Sequence, residues 1–71
     1  MRVFTAYVEY DPETNLYVGM VPDIPGAHST GETLEELRAN LREVLELCRE
    51  EGVIPEETPV FVGLTQIELA G

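Results

Sequence analysis

The sequence predicts an α+β domain of element order β-β-β-α-β, in which an antiparallel sheet carries one helix on it and a further strand closes the chain. Three observations support this. Two runs of period-two alternation flank a cluster of turn formers, one run repeats its apolar residues at helical spacing behind a capping signal, and an alternating apolar run follows the helix.

Arg2 to Tyr10 alternates Val3, Thr5, Tyr7 and Glu9 with Phe4, Ala6, Val8 and Tyr10, a strand rich in β-branched and aromatic types. Asp11-Pro12-Glu13-Thr14-Asn15 gathers turn residues, and Leu16 to Val21 follows with Leu16, Val18 and Met20 on one face, so a β-hairpin is expected. Pro22-Asp23-Ile24-Pro25-Gly26 must turn, because each proline lacks a ladder donor and restricts the residue before it. Ala27 to Gly31 then fits a short third strand at a sheet edge or on an exposed face.

Thr33 followed by Glu36 is a capping box and starts a helix at Leu34. Leu34, Leu37, Leu41, Val44, Leu45 and Cys48 form its apolar stripe, while Glu35, Arg38, Arg42, Glu43, Glu46 and Arg49 fall largely on the other side. Gly52 is the left-handed residue that ends the helix near Glu51. Val53 to Pro59 reads as a loop. Val60 to Leu69 returns to strand alternation, with Phe61, Thr65, Ile67 and Leu69 set against Val62, Leu64 and Gln66.

At 71 residues the chain is one domain, residues 1–71. A core this small rarely supplies more than about 3 to 5 kcal/mol alone, and both faces of the last strand are largely apolar, so a homodimer or larger assembly is expected. Fourteen carboxylates against four arginines give a net charge of −10, which disfavours direct contact with nucleic acid and favours a basic protein partner. One cysteine, Cys48, precludes an intramolecular disulfide and a multi-thiolate metal site. No apolar run has the length of a membrane span, and the start of the chain lacks signal-peptide order, so a cytoplasmic protein is expected.

His28 is the only imidazole, and Asp23, Ser29 and Thr30 are near it in sequence. Neighbouring side chains on an extended segment point apart, so a hydrolytic triad is poorly supported and His28 reads as structural or as an interface residue. The carboxylates lack calcium-loop spacing, and Gly26 and Gly31 lack phosphate-loop spacing. Neither catalytic residue, metal nor cofactor is expected.

The stretch from Tyr17 through Pro22-Asp23-Ile24-Pro25-Gly26-Ala27-His28-Ser29-Thr30-Gly31 to Leu37, with the segment Gly52-Val53-Ile54-Pro55-Glu56, resembles the HicB-like antitoxin family over nearly the whole chain. The resemblance implies a partial ribonuclease-H-like fold without that fold's acidic metal cluster. It also implies a small basic toxin that degrades messenger RNA as partner, inhibited by occlusion. Many members carry a C-terminal DNA-binding segment; none precedes Gly71, so the resemblance leaves operator binding open. Asp23, Ile24, Pro25, His28 and Ser29 are the candidate partner contacts. The alternative is a small enzyme or ligand-binding domain with its site around Asp23, His28 and Ser29.

Overall fold

A computed structural model describes residues 2–71 and contains β1 (Tyr7–Asp11), β2 (Leu16–Met20), β3 (His28–Gly31) and α1 (Leu34–Glu51). The strands form one antiparallel sheet in the order β1-β2-β3, and the α+β class follows the sequence expectation.

The hairpin runs in register from Tyr7 opposite Met20 to Asp11 opposite Leu16. Its loop is built by Asp11, whose carboxylate accepts from the Glu13 amide at 3.0 Å and the Thr14 hydroxyl at 3.1 Å. Asn15 takes a left-handed φ of 59°, which asparagine tolerates better than most residues, and its amide donates to the Asp11 carbonyl at 2.8 Å. Tyr10 and Tyr17, directly paired across the strands, tilt their rings together at 5.0 Å.

Between β2 and β3 the two prolines each set a turn. The Ile24 amide donates to Val21 across Pro22-Asp23 at 3.1 Å, and the Ala27 amide donates to Ile24 across Pro25-Gly26 at 3.0 Å. Gly26 has φ 83°, the value a type II turn demands after proline at its second position. The Val21 amide closes the loop on the Ala27 carbonyl at 2.8 Å, so Val21 and Ala27, expected in strands, belong to the connection instead. The same turn shortens the first strand, expected from Arg2: the ladder ends at Tyr7 opposite Met20, and no strand residue stands across from residues 2–6.

Helix α1 has the expected bounds. Thr33 accepts from the Glu36 amide at 3.0 Å at one end. At the other, Gly52 (φ 72°) donates to Arg49 and Val53 donates to Cys48, both at 3.1 Å, which is the Schellman arrangement. The helix lies over β3 and β2. A Cβ built on Gly31 would stand 2.5 Å from the Leu37 amide nitrogen, so only glycine permits that approach, and one on Gly19 would meet Leu41 Cδ1 at 2.9 Å. Asn40 adds a polar tie, donating to the Thr30 carbonyl at 2.8 Å.

The core is small. Val21, Ile24 and Ala27 from the double-turn loop are buried with Leu37 and Leu41 of α1, and Phe4, Ala6, Val44, Leu45, Cys48 and Ile54 pack around the loop cluster while half-buried. Cys48 thus takes the small-core place expected of it, whereas Leu34, expected on the same stripe, is exposed.

The strand expected at Val60–Leu69 is not formed. Every residue from Pro59 to Gly71 is exposed, and beyond Val53 no described residue of the tail makes a backbone-to-backbone hydrogen bond. The alternation is present, but a strand requires a hydrogen-bonded neighbour, and residues 59–63, although near Thr5 and Tyr7, form no ladder there. The radius of gyration is 14.0 Å, against about 11 Å for a compact domain of this length, so the tail extends the molecule.

Candidate functional site

The register decides which side chains each face of the sheet presents. Gly19 sits under Leu37 and Leu41, so Tyr17, Gly19 and Val21 face the helix, as do their neighbours Tyr10, Val8 and Ala6. The hairpin's alternate set, Leu16, Val18 and Met20, therefore lies on the opposite, helix-free face. Tyr7, Glu9 and Asp11 share that face from β1, and His28 and Thr30 share it from β3.

This open face has an apolar middle and an acidic margin. Met20 is 51% exposed and pairs with Tyr7, 44% exposed, on one side and His28 on the other. Glu9 and Asp11 border it on β1. A shallow groove of about 260 Å³ adjoins it, with Tyr7, Pro22 and Asp23 on one wall and Val60, Phe61 and Val62 of the tail on the other. An exposed apolar patch with a polar rim is the usual form of a protein-binding surface.

The residues singled out from sequence are divided among different environments. His28 is exposed on the open face and Asp23 is half-buried at the groove beside it. Pro25 is exposed at the tip of the double turn. Ser29, opposite Gly19, points to the helix side, so His28 and Ser29 leave opposite faces of β3. Ile24 is 1% exposed and belongs to the core, which removes it from the candidate partner contacts. The sequence reading missed Tyr7 and Met20. The signal was present in Gly19, because a glycine in mid-strand marks the side where another element approaches closely.

Among the described residues no three metal-capable side chains come together. Among the described residues none that is charged is buried: twelve of the fourteen carboxylates are exposed, and Asp11 and Asp23 are half-buried. No helix is long and apolar enough to cross a membrane among the described residues.

The UPF0150-like family profile matches residues 5–48, from β1 through most of α1. The chain belongs to the UPF0150 family. A UPF0150 protein of Thermotoga maritima is 54% identical over 68 residues, covering 96% of this chain and 91% of the relative. One from Synechocystis is 42% identical over 64 residues, 90% of each, and one from Archaeoglobus fulgidus is 33% identical over 66 residues, 93% of each. No solved structure matches. These UPF0150 relatives extend the likeness past the profile, into the tail that the sheet leaves out.

Proposed function

We propose that this UPF0150 chain is a HicB-like antitoxin or antitoxin-derived binding module, which neutralises a small basic mRNA-degrading toxin in the cytoplasm by covering it. The observation that carries the reading is the open sheet face, where Tyr7, Val18 and Met20 form an apolar centre beside His28 and the carboxylates of Glu9, Asp11 and Asp23. Apolar burial supplies affinity at the centre of such a patch, and the acidic margin discriminates for a cationic partner. The net charge of −10 steers that partner inward over distances comparable with the Debye length, about 8 Å in physiological salt. On this reading the chain is not an enzyme. Its residues exclude RNA from the toxin's active surface, and they neither make nor break a bond.

The test is direct. The product of the neighbouring reading frame, where short and basic, is purified and its cleavage of a messenger RNA is followed while this chain is titrated in. The reading predicts that cleavage ceases near a stoichiometric ratio, that association slows steeply as salt rises, and that Met20→Asp weakens inhibition. Unchanged cleavage at excess chain would dismiss it.

A further inference from the structure

Two parts of the molecule have strand character and lack a neighbour. The first is the outer edge of β1, together with residues 2–6, which continue its alternation. None of residues 2–6 takes part in a backbone-to-backbone hydrogen bond. The second is Val60–Leu69, where Val62 and Leu69 are each 95% exposed. Both runs, residues 2–11 and 60–69, are ten residues long.

An apolar groove of about 980 Å³ joins the two problems. It lies between the helix side of β1, at Phe4, Ala6 and Val8, and the flank of α1, at Leu34, Leu41 and Leu45, and the four arginines of the chain stand along it. It exists because α1 sits over β3 and β2 and leaves β1 uncovered. A strand laid on the β1 edge would satisfy the edge amides and carbonyls and would set every second side chain into this groove.

We propose that this strand comes from a second copy, so that two chains exchange their Val60–Leu69 arms and each arm lies along the bare edge of the other chain's β1. Three features favour a second copy over closure within one chain. Residues 59–63 already lie near Thr5 and Tyr7, on the side away from the groove, and they form no ladder there. The arm is apolar on both faces, with Val60, Val62 and Leu64 on one and Phe61, Ile67 and Leu69 on the other. A lone edge strand would cover only one of these faces, whereas arms crossing between two copies can shield both. The extent also fits: an arm plus the edge that receives it places about 20 residues of each chain in the contact, the size of a standard stable interface. The opposite sheet edge is less open, because Asn40 binds the Thr30 carbonyl beneath α1.

The full chain is tested by sedimentation across micromolar concentrations and by isotope-filtered NMR on a mixture of labelled and unlabelled copies. The expected result is a mass of twice 7.9 kDa, with contacts between copies linking Val62 or Leu64 to Ala6 and Val8. Leu64→Lys should weaken dimerisation by more than about tenfold, since its ammonium would be desolvated in a groove already lined by Arg2, Arg38, Arg42 and Arg49. Val53→Asp, an exposed change outside the arm, should leave it unaltered. A mass of 7.9 kDa at every concentration, tail contacts confined to one copy, or a dimer insensitive to Leu64→Lys would each overturn the proposal. So would a monomer whose arm becomes ordered only on adding a basic protein, which would give the edge to a different partner.

Discussion

Between Gly19 and Gly31 the helix approaches the sheet so closely that no side chain fits beneath it, whereas along β1 the same sheet has no cover on its helix side. The two regions are neighbours in one ladder. Val8 of β1 pairs with Gly19 of β2, yet Gly19 is buried and Val8 is 47% exposed. The difference is geometric: one eighteen-residue helix spans two short strands and leaves the third uncovered. A fold can thus be locally well specified, with caps, turns and register in agreement, and still leave the apolar face of one strand exposed.

The largest effect that would break this comparison is expected at the closest contact. Gly31→Ala places a Cβ within 2.5 Å of backbone at Leu37, and since backbone cannot rotate away, the helix must lift. A loss of about 3 kcal/mol or more is expected by chemical denaturation. A loss under about 0.5 kcal/mol would mean the helix sits farther from β3. Leu41→Ala empties a buried site against Gly19 and should cost about 2 to 5 kcal/mol, and near-neutral stability would place the stripe in contact with solvent. Thr33→Ala removes the oxygen that accepts from Glu36 and should cost about 1 kcal/mol, detectable as a lower melting temperature with the native fold retained. His28→Ala, on the exposed open face, should change stability by less than about 0.5 kcal/mol. A drop of many degrees in its melting temperature would make His28 structural after all.

The covered half was largely legible in the sequence, because its signals are local. Thr33 and Gly52 bound the helix where they were expected to, and Pro25-Gly26 makes the turn its residue types prescribe. The sheet faces were less legible. Leu16, Val18 and Met20 form the more apolar alternate set of β2, yet Gly19 places the helix on the other side. Burial of Ile24 was obscured by its setting in a proline-rich loop that looks like surface, although its double turn folds the side chain inward. The Val60–Leu69 alternation shows that the segment can form a strand. Whether it does depends on a neighbouring edge, which no local pattern encodes.

Amide hydrogen exchange on the full chain, followed at dilute and at concentrated protein, tests the contrast between the two halves most directly, since protection reports which backbone groups are hydrogen-bonded. The account predicts that β2 and the middle of α1 are protected most strongly, and that protection of Val60–Leu69 and of residues 2–6 rises together as concentration increases. Protection of the tail that is strong and independent of concentration would show that the chain completes its own sheet. Rapid exchange of both segments at every concentration would show that they remain unpaired, and either result would contradict an edge filled by a second copy.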